Sequence, residues 1–243
     1  MAQPLDHPVP PERLARNLAA VRERMSAAAA RAGRNASGIT LLAVTKYVGL
    51  PEIRELLKLG VKDLGENRIQ NAREKIDALA AEVQAAGARW HFIGHLQTNK
   101  AKYAVRGYDC LEAVDSVALL EALAHECLKR GRERLECLAE VNISGEAQKH
   151  GLAPADLEAF LSAAARFPAC AVRGLMCMAP YGDDPEKLSR PVFRRLRELR
   201  DEAQSKGWYP QPLSELSMGM TQDFEIAIEE GATRVRVGSA LFE

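Results

Sequence analysis

The segment Ile39-Thr40-Leu41-Leu42-Ala43-Val44-Thr45-Lys46 decides how the rest of the chain is interpreted. It is a short, mostly apolar run, which predicts a buried β-strand with a lysine at its C-terminal edge. A helical pattern follows at residues 51–59 and a second strand pattern at 61–65. The first unit of the fold is therefore predicted to be a strand followed by a helix.

The same strand-then-helix pattern repeats to the end of the sequence. The predicted strands are 39–45, 61–65, 90–94, 110–114, 135–143, 172–178, 213–218 and 234–238. The predicted helices are a leading amphipathic helix at 11–32 and then 51–59, 68–86, 97–105, 117–130, 154–166, 185–206 and 221–230. Alternating units of this kind indicate a parallel sheet covered by helices, and eight of them predict closure into a single (β/α)8 TIM barrel of the α/β class, with an extra N-terminal helix.

An open, doubly wound sheet is the rival architecture. It is disfavoured because no G-x-G-x-x-G motif follows any predicted strand. The length of 243 residues fits one barrel, and no linker rich in Pro, Gly or Ser divides the chain. We expect residues 1–10, which contain three prolines, to form a loose arm and residues 11–243 to form one barrel domain.

Composition excludes several functional classes. The 33 basic and 33 acidic residues cancel, so a nucleic-acid partner is not expected. The five cysteines contain no Cys-x-x-Cys pair, which indicates a reduced compartment. The sequence shows neither a signal-peptide pattern nor an apolar run long enough for a membrane span. We expect a cytoplasmic monomer without a membrane partner.

Lys46 is the first candidate for chemistry, because active sites of such barrels lie at the C-terminal ends of the strands. A lysine that follows an apolar strand would point into the barrel mouth and be partly desolvated. Desolvation favours the neutral amine, which is a nucleophile toward carbonyl groups. The alternative is a lysine whose ammonium group merely extends to solvent.

Two turns near the end of the chain predict a phosphate site. Ser217 and Thr221 flank a glycine-containing turn after the seventh strand, and Gly238 and Ser239 form a turn after the eighth. Barrels of this type often bind phosphate at these two positions, through backbone N–H groups and helix N-termini. The acidic residues Asp223 and Glu225 would compete with an anion there, so a phosphate site requires both to point away from it.

Arg236 is predicted to lie inside the barrel, since alternation places its neighbours in strand eight under the helices. A buried arginine needs an acceptor. Either a ligand or an inward carboxylate such as Glu140 could supply one. His91 and His95 are four residues apart, but no third ligand is evident, so no metal site is expected.

Several segments also carry a family resemblance. They are LAVTK at 42–46, GEN at 65–67, WHFIGHLQ at 90–97, GLMCM at 174–178, SMGMT at 217–221 and VRVGS at 235–239. In this set and order they resemble the pyridoxal phosphate homeostasis protein family, a single-domain relative of the alanine racemase barrel. The resemblance runs from the leading helix to the last residue.

The resemblance implies a cofactor and a role for each residue of the site. Pyridoxal 5′-phosphate (PLP) would be bound covalently, as a Schiff base on Lys46. Arg236 would face the pyridine nitrogen and Asn67 would line the pocket. The residues implied to hold the phosphate are Ser217, Gly238 and Ser239.

The function implied is that of a non-enzymatic PLP-binding protein in intracellular PLP homeostasis, with PLP-dependent apo-enzymes as partners and no catalytic residues. The alternative is a PLP-dependent amino-acid racemase. Arg236 cannot give a proton to the ring nitrogen, which leaves the ring a weak electron sink but is compatible with racemisation. Related racemases take their second acid/base from a further β-domain, which we do not expect here. A third class, a protein-interaction module, would form no Schiff base.

Overall fold

Eight parallel strands close into a barrel in chain order in the computed structural model, which describes residues 8–146 and 148–243. The strands are β1 (Thr40–Val44), β2 (Asp63–Glu66), β3 (Arg89–Phe92), β4 (Cys110–Val114), β5 (Leu135–Glu140), β6 (Cys170–Met176), β7 (Glu215–Ser217) and β8 (Arg234–Val237). Strand β8 pairs with β1 and completes the ring. The predicted barrel fold is confirmed.

Helices surround the barrel. They are α1 (Pro11–Arg31), α2 (Leu50–Lys58), α3 (Ile69–Ala78), α4 (Ala80–Ala86), α5 (Ala101–Gly107), α6 (Val117–Lys129), α7 (Leu157–Ala164), α8 (Pro185–Ser205), α9 (Phe224–Glu229) and α10 (Ser239–Phe242). The helix predicted over 68–86 is two helices that meet at the buried Leu79, and the final helix α10 was not predicted. None of the described helices combines the length and apolar character needed to cross a bilayer.

The leading helix α1 packs along α9 and α10 and fixes the last turn of the chain. Asn17 donates a hydrogen bond from its side chain to the carbonyl of Leu241 at 3.0 Å. Of the predicted loose arm, residues 1–7 lie outside the described residues. Residues 8–10 are described, and Val9 is buried and donates its backbone N–H to Glu52 Oε1 at 3.0 Å.

The two faces of β8 differ as alternation predicts. Val235 and Val237 pack into the apolar layer between strands and helices, whereas Arg234 and Arg236 point into the barrel. Both arginines are at most 4% exposed. The barrel interior therefore contains two guanidinium groups, one above the other, that need partners.

Glu112 of β4 supplies the charge that these arginines require. Its fully buried carboxylate accepts hydrogen bonds from Arg234 Nη1 at 3.0 Å, His91 Nδ1 at 2.9 Å and Ser217 Oγ at 2.6 Å. Ser217 Oγ in turn accepts from Arg236 Nη1 at 2.7 Å. One carboxylate thus connects β3, β4, β7 and β8 across the barrel.

The buried charges shift one another's protonation. Burial opposes the charge of Glu112, but Arg234 and then His91 outweigh it and lower the pKa of this carboxyl far below its ordinary range. Burial also opposes a charge on His91, yet its contacts with Asp63, Cys110 and Glu112 raise its pKa well above the usual value. We therefore treat His91 as an imidazolium that donates from both ring nitrogens.

Glu140 of β5 is the opposite case. Burial, together with the neighbouring Asp115 carboxylate, raises the pKa of Glu140 to about 7, against the opposing effect of Arg236. The folded protein consequently favours the protonated form of Glu140. Its stability contribution is unfavourable above the unfolded pKa and reaches its full cost once the pH exceeds about 7.

Replacing Glu112 by Gln is expected to lower the free energy of unfolding by roughly 3–5 kcal/mol at pH 8, because Arg234 and His91 are left buried without a counter-charge. Chemical denaturation monitored by circular dichroism measures this. Glu140→Gln is the matched control. It should be more stable than wild type by roughly 2–3 kcal/mol at pH 8 and equal to it near pH 4.5. A stable Glu112→Gln variant, or a Glu140→Gln variant destabilised at pH 8, would contradict this assignment of charges.

Candidate functional site

A cavity of about 370 Å³ opens at the C-terminal ends of β1, β7 and β8. This volume falls in the range of small-ligand sites. Five of the seven residues expected to bind a cofactor line it, namely Lys46, Thr221, Arg236, Gly238 and Ser239. They come together because β8 and β1 are neighbours, with Leu42 in register with Arg236.

Lys46 is half-buried in the wall of this cavity. In the described part of the chain its ammonium group forms no ion pair, and its nearest aromatic contact is the Tyr47 ring, with 4.9 Å between Nζ and the ring centroid. The backbone just before it is held firmly. Lys75 Nζ donates to the Thr45 carbonyl and to Glu66 Oε1, both at 2.8 Å, and Thr45 Oγ1 donates to the same Glu66 oxygen. Lys75 is thus held by structural contacts, while the amino group of Lys46 has no such partner among the described residues.

The two turns predicted to hold phosphate meet at the opposite wall. Gly238 donates its N–H toward Thr221 Oγ1 at 3.4 Å, which joins them. Among the described residues, the backbone N–H groups of Thr221, Gln222, Ser239 and Ala240 have no hydrogen-bond acceptor. These turns therefore offer donors to an anion, as the sequence predicted for this edge of the barrel.

Gln222 adds a donor that the sequence did not reveal. Gln222 lines the cavity, and its side-chain Nε2 is buried and has no hydrogen-bond partner among the described residues. Buried polar groups are nearly always hydrogen-bonded, so an unpartnered amide beside a cavity indicates a ligand acceptor. No spacing rule marks an isolated glutamine in a turn, and only the fold shows where it lies.

Neither acidic residue of the α9 turn accepts a hydrogen bond from the unpartnered N–H groups of these two turns. Asp223 is buried rather than outward-facing. Its Oδ2 accepts from Ser189 Oγ at 2.8 Å and its Oδ1 from the Met220 N–H at 2.7 Å. Glu225 turns away and pairs with Arg24 of α1 at 3.2 Å. The exposed Glu243 is then the one acidic residue that lines the cavity among the described residues.

Arg236 enters the cavity from below. It donates to Ser217 Oγ at 2.7 Å and to the Cys177 carbonyl at 2.8 Å, both neutral groups. Within the described chain no carboxylate lies at ion-pair distance from it, so the alternative of an ion pair with Glu140 is not observed. A buried guanidinium without a direct counter-ion can donate a further hydrogen bond to an acceptor atom of a ligand.

Two predicted residues lie away from this cavity. The hydroxyl of Ser217 is fully buried below it and fully engaged, donating to Glu112 and accepting from Arg236. Asn67 lines a separate cavity of about 390 Å³ beyond the ends of β2 and β3, together with Arg68 and His95. His91, which was weighed with His95 as a metal ligand, lies inside the barrel with both ring nitrogens bonded to carboxylates.

The loop after β6 contributes side chains that the sequence did not single out. Tyr181 lines the cavity and is 85% exposed, so it stands over the mouth on the solvent side. Tyr47 and Phe242 complete the apolar walls. An aromatic wall beside an amine and an arginine suits a flat, charged, aromatic ligand.

Comparison with known proteins places the chain in a family. The model of the alanine racemase N-terminal domain matches residues 15–243. The pyridoxal phosphate homeostasis protein of Aquifex aeolicus is 42% identical over 231 residues, which cover 95% of this chain and 96% of that protein. The protein of the same name from Bos taurus is 38% identical over 93% of this chain and 85% of its own length.

Solved structures agree. A crystal structure of a protein of unknown function from Bifidobacterium adolescentis superposes with a TM-score of 0.90 at 34% identity, covering 99% of this chain and all of that one. PipY of Synechococcus elongatus, solved with PLP bound, gives 0.80 at 33% identity over 95% of this chain and all of that one. Alanine racemase of Clostridium difficile, at 12% identity and 0.68, shares the fold alone, and this chain spans 56% of its length. The chain therefore belongs to the pyridoxal phosphate homeostasis protein family, as the sequence motifs predicted.

Proposed function

We propose that this protein holds PLP as a Schiff base on Lys46 and serves intracellular PLP homeostasis without turning over amino acids. One observation carries the proposal. A single cavity brings together the unpaired amine of Lys46, the buried Arg236 without a counter-ion, and the unpartnered amide of Gln222. The names of the relatives and the PLP bound to PipY support the choice of ligand.

The residues present fit the three functional parts of PLP. When bound, PLP supplies an aldehyde that forms a Schiff base with an amine. Lys46 is the amine that lines the cavity, and Arg236 would stand at the pyridine nitrogen as a permanent cation that cannot donate its proton. The free N–H groups at Thr221, Gln222 and Ser239 would bind the phosphate.

Ser217 and Asn67 take different places in this proposal from those the family resemblance implied. Ser217 would act through Arg236, because its hydroxyl holds that guanidinium and is itself held by Glu112. Asn67 faces the neighbouring cavity, and its part in cofactor binding stays a prediction. The remaining expectations, a cytoplasmic monomer that passes PLP to apo-enzymes, belong to the same proposal.

A carrier fits the site better than a racemase does. A guanidinium at the ring nitrogen leaves the cofactor a poor electron sink. The exposed Tyr181 and half-buried Lys46 show that the mouth is open to water, which weakens electrostatic stabilisation of a carbanion. Racemisation nevertheless requires only modest electron withdrawal, so activity is decided by experiment.

Lys46→Ala is expected to abolish the visible absorption that PLP gives when it is bound to the wild-type protein, because the amine that forms the Schiff base is gone. Borohydride reduction of the wild type followed by peptide mapping should place the pyridoxyl group on Lys46. Lys100→Ala is the matched control, since Lys100 lines the neighbouring cavity, and it should keep the chromophore. A pyridoxyl label on Lys58, Lys62 or Lys100 would refute the assignment.

The phosphate should be held mainly by the backbone. Ser239→Ala is expected to weaken PLP binding by about 1–2 kcal/mol, the value of one hydrogen bond, as measured by fluorescence titration. Gly238→Val should weaken PLP binding more, because the added side chain would obstruct the approach of the phosphate to the backbone at this turn. The fold tolerates a Cβ there, which would contact Val44 Cβ at 3.4 Å. Gln222→Glu should weaken PLP but leave pyridoxal unaffected. Equal affinity of the wild type for pyridoxal and PLP would overturn the phosphate site.

Amino acids should not be turned over. Alanine, serine and glutamate incubated with the PLP-loaded protein in heavy water are expected to retain their Cα protons, as followed by proton NMR. Exchange at catalytic rates that disappears in Lys46→Ala would move the assignment to a racemase. In that event Tyr47→Phe and Tyr181→Phe would identify the second acid/base, since both tyrosines line the cavity. Absence of exchange, with PLP passing to an apo-enzyme on mixing, supports the carrier.

A further inference from the structure

Three potential metal ligands converge on the side of the barrel mouth opposite β8. His95 follows β3, Asp115 follows β4 and His150 lies in the loop after β5. One ligand atom from each lies within 4.8 Å of the others. His95 Nδ1 is 3.5 Å from Asp115 Oδ2, and the rings of His95 and His150 stack with centroids 3.8 Å apart.

The fold presents these side chains from fixed positions. Asp115 directly follows β4, and His150 is followed by Gly151, whose φ of 112° is disfavoured for other residues. A Cβ at Gly151 would lie 2.9 Å from the Asn142 nitrogen, so this close approach also requires glycine. The Asn142 side chain ties the loop together by donating to the Glu146 carbonyl at 3.0 Å and accepting from the Gly145 N–H at 3.0 Å. These contacts hold the backbone around His150 in place, and the histidine side chain points toward the barrel mouth.

We propose that His95, Asp115 and His150 form a binding site for a first-row divalent transition ion, with Zn²⁺ as the best match. Imidazole is a borderline ligand that suits Zn²⁺, and two imidazoles with one carboxylate are a known zinc ligand set, whereas Ca²⁺ and Mg²⁺ take oxygen ligands. Three protein ligands leave a position for water or for an outside ligand.

Binding requires only small movements of exposed groups. Metal–ligand distances of ~2.1 Å place tetrahedral ligands about 3.4 Å apart, so the three atoms must close by roughly 1 Å. The stacked rings lie 9° from parallel, and each must tilt so that its nitrogen lone pair points at the ion. Both histidines are exposed, His95 to 38% of its side chain, and are free to turn. Lys149 does not oppose a cation strongly, because it is paired with Glu146.

A second group with suitable atoms, His91, Cys110 and Glu112, does not compete for a metal. All three are buried, and Arg234 Nη1 already occupies Glu112 Oε1 at 3.0 Å and lies 3.9 Å from Cys110 Sγ. A dication added there would face a buried guanidinium and an imidazolium. The mouth cluster is free of such a cation and is open to solvent.

A bound ion would join the ends of β3 and β4 to the loop after β5, across the mouth from Lys46. It would hold the His150 loop in place and stabilise the folded state by mass action. None of its ligands lines the cavity that contains Lys46, so the ion and PLP would occupy different sites.

Titration of untagged, cofactor-free protein with ZnCl2 in a calorimeter tests the site. One equivalent should bind. His95→Ala and His150→Ala should each weaken binding by at least the roughly 10-fold that loss of even an outer partner of a ligand costs. His125→Ala is the matched control, since His125 is exposed on α6, and should bind like the wild type.

Proton NMR with Co²⁺ gives a second readout that folding defects cannot imitate. The ring signals of His95 and His150 should show paramagnetic shifts in the wild-type protein, whereas those of His91 and His125 should not. Absence of Zn²⁺ binding, unchanged affinity in His150→Ala, or shifts confined to His125 would overturn the proposal. His95→Gln provides a milder variant if His95→Ala is unfolded, and it should also lose the ion.

Discussion

The buried carboxylate of Glu112 is the constraint on which the barrel and its candidate site depend. A closed barrel removes its interior from water, so two arginines on one strand are tolerated only if a counter-charge reaches them. Glu112 neutralises Arg234 directly and reaches Arg236 through Ser217. His91 lies on the other side of the same carboxylate and connects it to Asp63. The interior is thus a chain of charges that runs from the bottom of the barrel to the floor of the cavity.

This series of charged groups determines how Arg236 meets a ligand. Its two hydrogen bonds go to a hydroxyl and a carbonyl, so its position is fixed while its charge is not directly cancelled. The neighbouring strand β1 brings Lys46 into the same cavity, and there the Lys75–Glu66 pair steadies the backbone without approaching the amine. The result is a site with an unpaired amino group and a cation held by two hydrogen bonds. Such a site suits an aromatic aldehyde, because it can hold the ligand without giving a proton to the ring nitrogen.

Periodicity was sufficient for the fold, because eight apolar strands separated by amphipathic helices have few other ways to bury their faces. Alternation also placed Arg236 inside correctly, and position at a strand end was enough to select Lys46. Position at a strand end does not show which way Ser217 points, because a residue at the last position of a short strand can point into the barrel or up into the cavity. In the structure, the hydrogen bond to Glu112 holds the Ser217 hydroxyl inside the barrel.

Contacts between residues far apart in the chain could not be predicted from the sequence. Gln222 is unpartnered only because the turns after β7 and β8 meet, and His95 acquires Asp115 and His150 only because the ends of β3, β4 and the loop after β5 converge. The spacing of His91 and His95 does not reveal the cluster of His95, Asp115 and His150, because His95 and His150 lie 55 positions apart in the sequence. The break at Leu79 likewise reflects burial rather than a local breaker residue.

A crystal structure of the protein soaked with PLP tests the central claim most directly. We expect continuous electron density from Lys46 Nζ to the cofactor, with the phosphate against the N–H groups of residues 221–222 and 239–240 and the ring nitrogen toward Arg236. Density that joins PLP to another lysine, such as Lys100 or Lys149, or a phosphate seated in the cavity beside Asn67, would contradict it.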